Sequence, residues 1–127
     1  MYNTIMSKDN LYEKNELLKD FDQQTLSKTK ALIIGAGGLG SPAAYYLTSS
    51  GIGTLGIVDF DKVSLSNLQR QILHSTKSLG LKKTVSANNR LTELNPFVKI
   101  KTYDLKLDKN SAMEIFPFYD IILDCTD

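Results

Sequence analysis

Residues 31–47 place a glycine cluster between two segments of opposite character. Ala31-Leu32-Ile33-Ile34 is a short apolar run without polar alternation, the pattern of a strand buried on both faces. Gly35-Ala36-Gly37-Gly38-Leu39-Gly40 follows, and then Ser41-Pro42-Ala43-Ala44-Tyr45-Tyr46-Leu47. Proline is tolerated in the first turn of a helix, where its missing N–H has no intrahelical partner to lose. A helix is therefore expected from Ser41 until Ser49, Ser50 and Gly51 end it. Strand, G-x-G-x-x-G turn and helix in that order aim a helix N-terminus at the space above the turn. Glycines there let the backbone approach phosphate oxygens, and the helix terminus stabilises their charge.

The rest of the chain repeats the alternation. Thr54–Val58 reads as a second buried strand running into Asp59, and a helix is expected around Asn67–Leu73. Leu81, Val85, Ala87, Leu91 and Leu94 have helical spacing, stopped by Asn95-Pro96. Val98, Ile100 and Thr102 alternate with Lys99, Lys101 and Tyr103, as in a strand at a sheet edge or half exposed. A short helix over Ser111–Phe116 precedes Ile121-Ile122-Leu123, read as another buried strand. Before all of these, LYEKNELLKD sets Leu11, Leu17 and Leu18 among charges, suiting an amphipathic helix or arm. The expectation is an α/β, Rossmann-like doubly wound and mostly parallel sheet over residues 29–127, with an N-terminal helical arm over residues 1–28. A chain that stops where a strand's carboxyl end opens onto the ligand crevice of such a sheet reads as an incomplete domain. Its uncovered sheet edge is expected to lower stability and invite association.

Bulk properties exclude several classes. With 127 residues, 42% hydrophobic and 23% charged, the chain has ordinary globular composition rather than a disordered one. A formal net charge of +1 argues against a general nucleic-acid binder. The single cysteine, Cys125, cannot form an intramolecular disulfide or a multi-cysteine zinc site. No apolar run is long enough to span a membrane, and the polar first thirty residues lack a signal peptide's apolar core. A reducing, cytoplasmic setting is expected.

Asp59, nineteen residues beyond Gly40, stands where a carboxylate accepts hydrogen bonds from ribose hydroxyls. Gly35, Gly37, Gly38 and Gly40 with Asp59 indicate only an adenine nucleotide, for which NAD is the usual default. The segment DFDKVSLSNLQRQILH asks for more, because it gathers Asp59, Asp61, Asn67, Gln69, Arg70 and Gln71 close to the glycine turn. A triphosphate site needs an arginine for bidentate phosphate contacts, amides for orientation and a carboxylate for magnesium. Lys83, three residues after Gly80, is a second candidate cation, and Asp127, at a strand's carboxyl end, a candidate Mg2+ ligand.

In order, GAGGLG, DFD, SLSNLQRQILH, Gly80 with Lys83, Leu94-Asn95-Pro96 and LDCTD resemble the sulfur-carrier adenylyltransferases, the ThiF and MoeB proteins, and their relatives the ubiquitin-activating enzymes. The resemblance runs from about Leu11 to Asp127. It implies that Gly38 and its neighbours lie against the phosphates of ATP and that Asp59 holds the ribose. Asn67, Arg70 and Lys83 would contact phosphates with Gln71 nearby, and Asp127 would bind Mg2+. Arg70, Lys83 and Asp127 would then be the catalytic set. The family's reaction adenylates the C-terminal glycine of a ubiquitin-like sulfur carrier protein, and a homodimer is implied. Where the family has an arginine that reaches the partner subunit's ATP site, this chain has Lys14, which keeps the charge without the planar fork. Relatives are about twice this length, and a zinc site, where present, lies in their later half. Two other readings stand beside this one: an NAD-dependent oxidoreductase domain, and a truncated nucleotide-binding module without turnover.

Several tempting residues have plainer readings. His74 beside Ile72-Leu73 reads as a structural polar contact, and Cys125 beside a buried strand as an inert thiol. Lys82, Lys99 and Lys101 read as solvated. Tyr45 and Tyr46 are expected to pack on the sheet rather than stack on a base.

Overall fold

In the computed structural model, which describes residues 7–127, the sheet is built from apolar runs that the sequence could bury only between two layers. Strands β1 (Lys30–Ile34), β2 (Thr54–Asp59), β3 (Lys99–Asp104) and β4 (Ile121–Asp124) pair in the order β3-β2-β1-β4, every pair parallel. Helices α1 (Lys8–Tyr12) and α2 (Gln23–Lys28) precede β1; α3 (Gly40–Ser50), α4 (Lys83–Leu94) and α5 (Lys109–Ile115) connect the strands. This is the expected doubly wound architecture.

Alternation along β1 assigns the two faces. Ala31 and Ile33 join Leu55, Ile57, Ala44, Ala87 and Leu91 in the core beneath α3 and α4. Leu32 and Ile34 join Val58 and Ile115 beneath α5, with Tyr103, Phe116 and Tyr119 packed around them. Gly56 keeps that second layer close, since a Cβ there would stand 2.3 Å from the Tyr119 hydroxyl. Gly51, at φ 93°, ends α3 in the left-handed conformation that glycine adopts without strain.

Several expected elements differ. The single helix over residues 10–20 is replaced by α1 and a 3-10 turn, Asn15–Leu17. Asn15 instead spends its amide on Gln23 Oε1 (3.0 Å) and the Ser50 carbonyl (3.1 Å), and Asp20 turns the chain with φ 62°. Leu17 and Leu18 are left exposed. The first six residues of the arm lie outside the described residues. The helix expected over Asn67–Leu73 is a 3-10 turn, Leu65–Asn67, followed by irregular turns. Gln71, Leu73 and His74 are all buried while Arg70 and Ile72 are exposed, a pattern that no single helical face can supply. Helix α4 starts at Lys83, because the residues before it pair with the loop after β2 (an antiparallel bridge of Lys62 with Lys82, and Val63 N to Leu81 O at 2.8 Å), and Leu81 and Val85 are exposed. The last strand is an edge strand rather than a buried one, with Ile121 49% exposed. β3 forms the other edge, as its alternating lysines suggested. Tyr46 is exposed and meets only the edge of Tyr45, not the sheet, while Tyr45 lies under Arg90.

Asn95 ties the arm to this frame. Its side chain, 0% exposed, donates to the Tyr12 hydroxyl and to the Thr48 carbonyl, each at 2.8 Å, and accepts from Phe97 N at 3.1 Å. Asn95→Ala removes the partner of the buried Tyr12 hydroxyl and one of the two donors to the Thr48 carbonyl, so urea unfolding is expected to show a loss of about 2–3 kcal/mol. A loss below about 0.5 kcal/mol would mean that the site relaxes or admits water.

Candidate functional site

All four parallel strands deliver their carboxyl ends to one side of the sheet, and a cavity of about 510 Å³ opens there. The glycine turn forms its floor. Gly35 has φ 99°, open to a residue without Cβ, and a Cβ would meet the Cys125 carbonyl at 2.9 Å. Gly40 has a stricter constraint: a Cβ would sit 1.7 Å from the Gly35 carbonyl oxygen. Helix α3 thus begins in direct backbone contact with the end of β1. Gly40 is buried and is not on the cavity wall, and its missing Cβ is what lets the turn pack so closely.

Asp59 ends β2 under the same turn. Its Oδ2 accepts from Ala36 N (2.8 Å) and its Oδ1 from Asp61 N (2.8 Å). Each carboxylate oxygen has a second lone pair, so bracing the turn leaves acceptor capacity for a hydroxyl.

Over the floor lie the side chains that follow Asp59. Gln71, 4% exposed, rests on Gly37 with its Oε1 unpaired. Arg70 lies across Gly38, with Cδ 3.6 Å from where a Cβ would be, and is exposed. Asn67 accepts at Oδ1 from the Ser64 hydroxyl and, at 3.4 Å, from that of Ser66. What remains for a ligand is the donor pair of its amide, suited to an anion.

Lys83 is the most demanding residue of the group. Its backbone N donates to the Asp61 carbonyl at 2.9 Å, fixing the start of α4 at the cavity wall. Its side chain is 7% exposed, and its one carboxylate neighbour, Asp61, is 3.9 Å away. No hydrogen bond to its ammonium occurs among the described residues. A cation on the cavity wall with a partner this loose suits an anionic ligand. Asp127 is exposed on the opposite wall, after Asp124 has turned the chain by accepting from Thr126 N (3.1 Å) and Thr126 Oγ1 (2.6 Å).

Residues 10–127 match the ThiF family. The chain belongs to the ThiF family. It is 49% identical over 119 residues to the molybdopterin-synthase adenylyltransferase of Haemophilus influenzae, which covers 91% of this chain and 49% of that protein. It is 52% identical over 105 residues to the adenylyltransferase and sulfurtransferase UBA4 of Debaryomyces hansenii, covering 83% of this chain and 23% of that protein. It therefore spans half or less of the length of these relatives. Among solved structures, the E. coli tRNA N6-threonylcarbamoyladenosine dehydratase TcdA in complex with ATP superposes with a TM-score of 0.88 at 26% identity, over 97% of this chain and 52% of that one. E. coli MccB with ATP gives 0.70 at 30% identity, over 73% of this chain and 28% of that one.

Of the residues singled out in the sequence of this ThiF-family chain, Gly35, Gly37, Asp59, Asp61, Asn67, Arg70, Gln71, Lys83 and Asp127 line the one cavity. Lys14 does not, nor do Tyr45 and Tyr46. The sequence alone did not single out the apolar wall, Phe60, Leu105 and Leu107, with Lys106 Nζ 5.7 Å from the Phe60 ring centre. Position was the available signal, because each follows the carboxyl end of a parallel strand. Cys125 also reaches the wall, but burial and then the Asp124 charge push its thiol pKa up, against a nucleophilic role. Lys82 is solvated and pairs with Asp104. No described group of three His, Cys, Asp or Glu side chains is arranged to hold a metal ion. A single carboxylate such as Asp127 still fits Mg2+, which keeps its waters and takes oxygen ligands from a substrate's phosphates. No described helix is long and apolar enough to cross a membrane.

His74 is buried beneath the turn, as a structural contact. Burial, and to a lesser degree the Lys83 charge, hold its pKa below 6.5, against the opposing pull of the Ala36 bond and the Asp59 charge. The unfolded imidazole protonates first as pH falls. Its contribution to stability is thus fully present above about pH 6.5 and is lost as pH falls through the lowered folded value. The carboxylates of Asp22, Asp108 and Asp124, held below 3.8 by hydrogen bonds, act in a separate and more acidic window. NMR titration is expected to place the His74 midpoint below 6.5, with stability falling from pH 7 to 5.5 and that slope lost in His74→Phe.

Proposed function

We propose that this chain is the nucleotide-binding half of an ATP-dependent adenylyltransferase, with residues 29–127 the ATP-binding unit and 1–28 its arm. The observation that carries this reading is Lys83, whose buried side chain lines the same cavity as the glycine turn and has only a carboxylate 3.9 Å away as its partner. Arg70 and Asn67 add donors on the same side, where the phosphates of ATP would lie. Asp59 would hold the ribose, and Asp127 would present its carboxylate to Mg2+ on those phosphates. Relatives named adenylyltransferases, and ATP in the superposed TcdA and MccB structures, support it.

The acceptor we propose is the C-terminal glycine of a ubiquitin-like sulfur carrier protein, in thiamine or molybdenum-cofactor synthesis. A carboxylate oxygen of that glycine attacks the α-phosphorus of ATP, the bond to the β-phosphate oxygen breaks, and pyrophosphate leaves. Such a step needs no enzyme nucleophile. Arg70 and Lys83 would act by alignment and by neutralising charge on the leaving group, and Asp127 would hold Mg2+ against the phosphates. The expected assembly is a homodimer in the cytoplasm, in which the contact that Lys14 makes with the partner's site is weakened or absent. An NAD-dependent oxidoreductase is less well supported, because it leaves Asn67, Arg70, Lys83 and Asp127 without work.

Calorimetric titration of the chain with Mg-ATP and, in parallel, NAD tests the reading. Saturable, magnesium-dependent ATP binding that is lost in Arg70→Ala is expected; tight NAD binding with no response to ATP would overturn it. In the complete enzyme, Arg70→Ala is expected to lower carrier-dependent pyrophosphate release by about a hundred-fold or more. Wild-type rates in that variant would remove Arg70 from the catalytic set. ATP binding without any pyrophosphate release to a carrier would leave a nucleotide-binding module.

A further inference from the structure

One buried group touches both halves of the site without lining the cavity. His74 Nε2 lies 2.9 Å from the carbonyl oxygen of Ala36, in the glycine turn, and His74 Nδ1 lies 2.7 Å from the hydroxyl of Ser86, one turn along α4 from Lys83. A carbonyl only accepts, so Nε2 carries the proton; in the neutral ring Nδ1 then accepts from Ser86. The other side of Ala36 is held as well, its N–H by Asp59. Asp59 also fixes Asp61 through its N–H, and the Asp61 carbonyl accepts from Lys83 N. The links close on themselves: Ala36, His74, Ser86, the first turn of α4 with Lys83, Asp61, Asp59, and Ala36 again.

We propose that His74 is a positioning residue which, through this ring, makes the glycine turn and the Lys83 end of α4 a single unit, setting the span between backbone donors and ammonium. That the unit serves a nucleotide rests on the reading given above; that it exists does not. The two elements come from distant parts of the chain and need a link to keep a fixed separation, and among the described residues no hydrogen bond joins them directly. A buried imidazole with both nitrogens engaged supplies one, and its rigid ring transmits a shift of either end to the other.

Ser86→Ala is the gentler test, because it removes the α4 arm of the link and leaves the Ala36 bond. In the ligand-free chain, native-state hydrogen exchange is expected to show the Ala36 and Lys83 amides exchanging about ten-fold faster together, as loss of one buried hydrogen bond allows. The amides of Leu32 and Ile57 in the central strands should hold their rates relative to global unfolding. Uniform acceleration of all amides, or acceleration confined to α4, would overturn the proposal. Mg-ATP titration adds a second readout. Ser86→Ala and His74→Gln should each weaken binding several-fold in the wild-type background and have little further effect in Lys83→Met. Effects that simply add would show that His74 does not act through Lys83. Failure of the wild-type chain to bind Mg-ATP would sink the functional reading, while the exchange experiment would still decide the role of His74.

Discussion

A hydrogen atom on the Cα of Gly40 is the narrowest tolerance in the molecule. With a Cβ 1.7 Å from the Gly35 carbonyl, α3 could not start where it does, and the turn between β1 and α3 would have to lengthen. A longer turn would move Ala36 away from Asp59 and His74, which hold its N–H and carbonyl. It would also displace the Cys125 backbone from Gly35. The floor of the cavity, the end of β2 and the end of β4 therefore all register against one contact between two glycines.

Charge is arranged around that floor in an unbalanced way. Lys83 is buried, with its only nearby carboxylate at 3.9 Å, while Lys82 beside it is solvated and paired with Asp104. Adjacent lysines on one helix terminus thus do opposite things, because α4 begins between them and turns only the second toward the cavity. An anion bound beside Lys83 would add to the stability of the fold by mass action.

Most of the fold was legible because it rests on residues whose physical meaning is local. Apolar runs, one stopped by glycine and one running into Asp59, gave β1 and β2, and the lysine alternation of β3 gave an edge. What was not legible depended on tertiary partners. Asn15 leaves its helix for Gln23 and Ser50, a choice that no periodicity of the arm reveals. The turns after Asn67 are irregular because Gln71, Leu73 and His74 are each wanted inside by a different neighbour. Ile121-Ile122-Leu123 has the composition of a central strand, and among the described residues it pairs on one side only. The candidate site was legible at its charged and glycine positions. Its apolar wall of Phe60, Leu105 and Leu107 was not, because isolated apolar residues in loops look alike until the strand ends are brought together.

The strand order β3-β2-β1-β4 has a consequence in time. β1 finds β2 within a short stretch of chain, but its other neighbour is distant: the N–H of Lys30 is received by Asp120, ninety residues along. Closing a loop of that length forfeits more chain entropy than any other pairing in the sheet, so it is rewarded only after the rest is in place. Until β4 pairs with β1, the Cys125 backbone does not rest against Gly35 and the cavity lacks that wall.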